Sequence, residues 1–178
     1  MIILLCGLSG VGKTTLSRET KKLLNSNNIS CEVLDGDEIR NNLFKDLGFS
    51  QEERKENMRR LAFLANKFSK NGIVTIVSAI SPYKVVREEI KAKYERVKII
   101  HIDCEIKKLL ERDTKGLYHK ALLPDGHPDK IYNLTGINDI FERPEKPDLY
   151  INTTDVEINV CTKTLFDFIV NELNSQNV

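Results

Sequence analysis

Ile2-Ile3-Leu4-Leu5-Cys6-Gly7-Leu8-Ser9-Gly10-Val11-Gly12-Lys13-Thr14-Thr15 stands at the start of the sequence and decides its fold. Ile2–Cys6 is a short apolar run of strand type. Gly7 to Thr14 then match G-x-x-x-x-G-K-[ST], and from Lys13 onward apolar residues recur at helical spacing. A strand, a glycine-rich loop and a helix N-terminus in that order make a phosphate cradle, because backbone N–H groups in the loop and the first helical turn face anionic oxygens. Gly7, Gly10 and Gly12 let the backbone make that turn. Ser9, Val11 and Thr15 complete the cradle; Lys13 reaches the β- and γ-phosphates, and the Thr14 hydroxyl ligates Mg²⁺. The pattern predicts a nucleoside triphosphate bound with Mg²⁺.

Outward from this stretch, strand-like runs fall at 2–6, 31–35, 73–79, 97–103 and 148–152. Helical segments alternate with them, at about 13–26, 38–46, 51–71, 83–94, 105–112 and 156–174. Alternation of this kind predicts an α/β fold: one domain over 1–178, with a five-stranded parallel sheet and helices on both faces. Right-handed crossovers would bring every strand C-terminus to one edge, where ligands bind. Thr114 to Pro147 fits neither period and carries Lys115, Lys120, Lys130, Arg143 and Lys146 among several Gly and Pro. A basic lid over about 113–147, closing on a phosphate donor, is the expectation for it.

Composition narrows the class. The 178 residues are 40% apolar and 30% charged with a net charge of +1, which points to neither a nucleic-acid surface nor a membrane surface. No apolar run approaches the ~20 residues of a membrane helix, and a cytoplasmic location is expected. Cys6, Cys31, Cys104 and Cys161 have no C-x-x-C spacing and read as reduced structural thiols.

A second cluster of chemistry follows the second strand. Asp35 and Asp37, in Leu34-Asp35-Gly36-Asp37-Glu38-Ile39-Arg40, sit at the same sheet edge as the glycine loop. A hydroxyl that attacks a γ-phosphorus needs orientation and an acceptor for its proton, and Asp37 is the candidate for that role. The same Asp-Gly turn also reads as a helix cap formed by Asp37. Asp35 is a candidate to hold a water on Mg²⁺. Ser50 and Glu53 form a capping box that starts a helix on which Arg54, Asn57 and Arg60 fall at i, i+3 and i+6. Arginines so placed suit a phosphate-like anion, although such runs also occur as solvated charged faces. No Walker-B aspartate ends the third strand, which is followed by Ile80-Ser81-Pro82-Tyr83; this disfavours a switch GTPase or motor and suits a small metabolite kinase.

The chain resembles the adenylylsulfate kinases. The resemblance rests on Gly7–Thr15, Leu34–Arg40, Asp46–Ser50, Arg54–Arg60, Ile80–Tyr83, Arg112–Tyr118, Thr135–Ile137 and Pro144–Pro147, in that order. It implies a P-loop kinase fold, ATP and Mg²⁺ as cofactors, a homodimer, and transfer of the γ-phosphoryl group to a nucleotide 3′-hydroxyl. By position, Asp37 corresponds to the base. Arg40, Arg54 and Asn57 correspond to ligands of the acceptor's phosphate and 5′ substituent, and Phe49 to one aromatic face against its base. Ile80 and Ser81 correspond to the acceptor pocket wall, Arg112 to the donor cover, and Lys115 and Lys120 to lid contacts.

Two departures bear on the acceptor. The position before Thr135-Gly136-Ile137, commonly a Phe that forms the second aromatic face, is Leu134; and Leu122–Asn133 forms a longer, different lid segment. One missing ring forfeits about 1–3 kcal/mol of stacking. The expectation therefore leans to a cytidine acceptor such as cytidine diphosphoramidate, as in relatives of this family that serve capsule biosynthesis. The alternative is adenylylsulfate itself, and a more distant one is an ATP-binding regulator without chemistry.

Overall fold

β1 (Ile2–Cys6) is buried along its whole length, which is why its sequence is a continuous apolar run rather than an alternating one. The computed structural model describes residues 1–175. Ile3 and Leu5 face a cluster containing Leu16 and Leu24 of α1 (Lys13–Ser26) and Cys161, Leu165 and Ile169 of α7 (Ile158–Asn174). Ile2, Leu4 and Cys6 face the opposite cluster, with Met58, Leu61 and Ala65 of α3 (Gln51–Ser69) and Val86 and Ile90 of α4 (Lys84–Lys93). Period-2 alternation of one strand thus divides its side chains between two helical layers.

β2 (Cys31–Asp35), β3 (Val74–Ser78), β4 (Val97–Asp103) and β5 (Leu149–Asn152) complete a five-stranded sheet in the order β2-β3-β1-β4-β5. Every pairing is parallel, as expected. Leu5 registers with Ser78, and Ser78 with Asp35, so the segments after β1, β2 and β3 leave the same edge side by side. β1 lies between β3 and β4, where crossovers diverge and open a crevice.

The expected boundaries shift for local reasons. α2 (Gly36–Asn42) starts two residues before the position expected, because the Asp35 carboxylate caps it by accepting from the N–H groups of Asp37 (3.0 Å) and Glu38 (3.2 Å). α5 (Ile106–Arg112) follows β4, and a short α6 (Leu117–Ala121) lies inside the stretch expected to lack regular structure. Tyr118 of α6 is buried and donates from its hydroxyl to the Ser9 carbonyl at 2.7 Å, so that part of the basic segment is docked on the glycine loop. All four cysteines are buried and free. Among the described residues, no helix is long and apolar enough to cross a membrane.

Candidate active site

The glycine loop closes over the C-terminal end of β1. A Cβ at Gly7 would run into the Ile102 carbonyl, and Gly12, at φ +93, makes the left-handed turn that starts α1. Lys13 is folded back under the loop, its Nζ donating to the carbonyls of Gly7 (2.8 Å) and Leu8 (2.7 Å). Burial pushes the Lys13 pKa down to about 8, since the charged ammonium has lost its water. The Thr14 hydroxyl donates to Asp35 Oδ2 at 2.7 Å. Ser9, Gly10, Gly12, Thr14 and Thr15 line a cleft of about 1080 Å³ beside them. Val11 is buried instead, and its carbonyl accepts from the Thr153 hydroxyl at 3.1 Å. A hydroxyl and a carboxylate this close form an oxygen donor set that fits Mg²⁺, which takes one or two protein oxygens and fills its shell with phosphates and water.

The two aspartates separate cleanly. Asp35 is the helix cap and the partner of Thr14, so the cap is not Asp37. Asp37 lies exposed, its Oδ2 accepting from Lys115 Nζ at 2.6 Å. It borders the phosphate cleft and also a second cleft of about 460 Å³.

That second cleft is lined by Arg40, Phe49, Arg54, Asn57, Ile80 and Ser81, six of the residues expected to meet the acceptor. The Arg40 guanidinium lies 4.7 Å from the Phe49 ring centre and also donates to the Gly48 carbonyl. Asn57 is 5% exposed and Ser81 is 1% exposed, yet Asn57 Oδ1 and Ser81 Oγ have no hydrogen-bond partner. Two buried polar atoms without partners are costly and mark where a ligand would supply them. Arg54 is already engaged: Nε donates to the Phe49 carbonyl (2.8 Å), Nη1 to Thr135 Oγ1 (2.5 Å) and Nη2 to the Asn133 carbonyl (2.5 Å). Arg60, the third of the helical trio, pairs with Asp46 and Glu56 on the surface and lies outside the cleft.

Three expected site residues lie elsewhere. Leu134 is buried in the apolar cluster on the α1 side of the sheet and lines neither cleft, because its side chain packs with the core. Lys120 is exposed on α6 and borders neither cleft. Arg112, at the end of α5, bonds to Cys104 Sγ (3.8 Å) and the Thr153 carbonyl (3.4 Å) and lines neither cleft. Sequence reading missed Arg18, which borders the phosphate cleft one helical turn after Thr14; helical spacing from the motif was the available signal.

A profile of the family described as "Adenylylsulphate kinase" matches residues 1–152. The chain belongs to the adenylylsulphate kinase family. The adenylyl-sulfate kinase of Chloroflexus aurantiacus is 41% identical over 161 residues, covering 90% of this chain and 84% of that protein. A probable bifunctional SAT/APS kinase of Sorangium cellulosum is 43% identical over 152 residues, where the chain spans 85% of its own length but 25% of that longer protein. The solved structure of the Mycobacterium tuberculosis APS kinase CysC in complex with AMPPNP and APS superposes with a TM-score of 0.85 at 32% identity, covering 94% of this chain and 96% of that one. Membership of the adenylylsulphate kinase family makes the chain an ATP-dependent phosphotransferase with a hydroxyl acceptor.

Proposed function

We propose that this chain phosphorylates the 3′-hydroxyl of adenylylsulfate with ATP, a step of sulfate assimilation. The observation that carries the reading is the second cleft: Asn57 Oδ1 and Ser81 Oγ, buried without partners, stand beside Arg40 and Phe49 and are separated from the phosphate loop by Asp37. Such a cleft offers a charged 5′ group a guanidinium, a base an aromatic face, and a ribose two hydrogen-bonding atoms. The relatives it matches are named for adenylylsulfate, which favours that acceptor. The lean toward a cytidine acceptor and capsule biosynthesis finds no such support. It rests on the ring absent at residue 134 and on the different lid segment Leu122–Asn133, and Leu134 lines neither cleft.

In this reading Lys13, Thr14 and the loop N–H groups hold the donor phosphates, with Asp35 orienting Thr14. Thr14 and Asp35 would hold Mg²⁺, which would supply charge neutralisation at the donor phosphates. Asp37 accepts the 3′-hydroxyl proton as the oxygen attacks the γ-phosphorus and ADP departs. Its pair with Lys115 is exposed and weak, so the lysine is displaced at little cost. A homodimer belongs to the same reading; a mass by light scattering near twice 20.4 kDa is the expected result.

The test is ADP release from Mg-ATP with adenylylsulfate and with cytidine diphosphoramidate side by side. Turnover with adenylylsulfate is expected. Turnover with the cytidine compound alone would overturn the acceptor assignment while leaving the kinase class intact. ATP binding without turnover on either would favour a regulator.

A further inference from the structure

Arg87 on α4 is 2% exposed, the largest of the fully buried side chains, and forms no ion pair with a carboxylate among the described residues. An unpaired guanidinium in a core is costly, and burial lowers its pKa from the ordinary arginine value. Two of its N–H groups donate to backbone carbonyls, one close in sequence and one far: Nη1 to Ser81 at 2.5 Å and Nη2 to Glu142 at 2.5 Å.

Ser81 belongs to the wall of the acceptor cleft, and Glu142, which does not line it, is bonded to the adjoining Pro82. Ser81 sits at φ +47, a left-handed conformation that a non-glycine residue adopts at a cost. It also precedes Pro82, and the proline ring pushes its predecessor toward extended backbone, so Ser81 is disfavoured on two counts. Something must hold it. Glu142 is joined to the same turn from the other side: its N–H donates to the Pro82 carbonyl at 2.9 Å, and its carboxylate accepts from the Lys84 N–H. One residue before Ser81, the Ile80 carbonyl accepts from Gly7 N–H at 3.1 Å, which ties the turn to the phosphate loop.

We infer that Arg87 is a positioning residue for the acceptor: it borders neither cleft, and it locks the strained Ser81 turn against the Glu142 segment so that the wall beside Asn57 and Phe49 keeps its shape. The inference rests on the second cleft being the acceptor site. Lysine is a poor replacement here, because a single ammonium nitrogen on a flexible stem lacks the planar fork whose two nitrogens each reach a separate carbonyl.

Steady-state kinetics of Arg87→Lys and Arg87→Gln, with ATP and adenylylsulfate each varied, test the proposal. The expected result is a KM for adenylylsulfate at least tenfold higher, with the KM for ATP within twofold of wild type. Parallel rises in both KM values, tracking lost thermal stability, would reduce Arg87 to a core residue and overturn it. Ser81→Gly supplies a second arm, since glycine holds φ +47 without a clamp. The effect of Arg87→Gln on the adenylylsulfate KM should shrink in that background; the same fold-change in both backgrounds would break the link to Ser81. Should both Arg87 variants fail to fold, Glu142→Pro, which deletes the N–H bonded to Pro82 together with the carboxylate bonded to Lys84, should raise the same KM by a smaller factor, and no rise would overturn the proposal. If wild type turns over a different nucleotide, the acceptor assignment fails on its own, and the KM split measured with that nucleotide decides the role of Arg87.

Discussion

Asp37 borders both clefts, and its neighbour Asp35 has taken over the capping and hydroxyl contacts that would otherwise occupy it. Asp37→Asn keeps the size and removes the proton acceptor. We expect kcat to fall by about 10²–10⁴-fold with the KM for ATP changed little, measured by ADP release; near-normal turnover would remove Asp37 from the chemistry. Lys13 gives a prediction in pH. With its pKa lowered to about 8, the lysine is largely charged at pH 6.5 and loses its proton as the pH rises through 8. Bound phosphates favour the charged form, so Mg-ATP binding near pH 8.5 should take up a proton, and binding at pH 6.5 should not. Calorimetry in buffers of different ionisation enthalpy reads that uptake directly, and Lys13→Met should abolish it. Leu134 yields the opposite of a specificity effect. Being buried, Leu134→Phe should overpack the core and cost about 1–3 kcal/mol in chemical denaturation. Unchanged stability with tighter adenylylsulfate binding would return this position to the base pocket.

The start of α3 shows how a helix terminus builds a binding wall. Glu53 takes the N–H groups of Gly48 (2.9 Å) and Ser50 (3.0 Å), and Ser50 Oγ takes the N–H of Glu53 at 3.4 Å. Phe49 lies inside this closed loop, and its carbonyl receives Arg54. Glu53→Ala should therefore raise the acceptor KM more than the ATP KM, while Ser50→Ala should cost about 1 kcal/mol of stability by thermal melting. Equal kinetic effects on both substrates would detach the capping box from the acceptor cleft. This box was legible in the sequence, as were the strand cores and the glycine loop, because each is written in neighbouring residues. α6 was not: a five-residue helix flanked by Gly116 and a Pro- and Gly-rich stretch has too little period to read, and Tyr118 reaching the glycine loop holds it in place. The start of α2 was missed for a related reason, since the sequence offered two aspartates for one cap and only Thr14, 21 residues away, separates their roles.

At the scale of the whole molecule, the stretch expected to be one lid divides in two. From Asn133 to Glu142 it is fastened by Arg54 to the second cleft and by Arg87 to the core, across separations of 55 to 81 residues that no local pattern encodes. From Thr114 to Tyr132 the fastening is lighter. Tyr118 and Ala121 are buried, whereas the contacts of Lys130 with Leu123 and Asp125 stay within the segment. Besides Tyr118 on the glycine loop, Lys115 reaches across to Asp37, and this pair spans the phosphate cleft that both residues border. We propose that closure on ATP breaks that pair and hands the ammonium to the donor phosphates, while the Asn133–Glu142 anchor stays in place. Lys115→Met should then raise the KM for ATP several-fold with little change in the adenylylsulfate KM. Hydrogen exchange should slow over 114–121 on adding Mg-ATP to wild type, more than over 133–142, and should slow less in the variant. Equal protection of both halves on ATP binding would mean that the stretch moves as one body and that the two arginines do not anchor it.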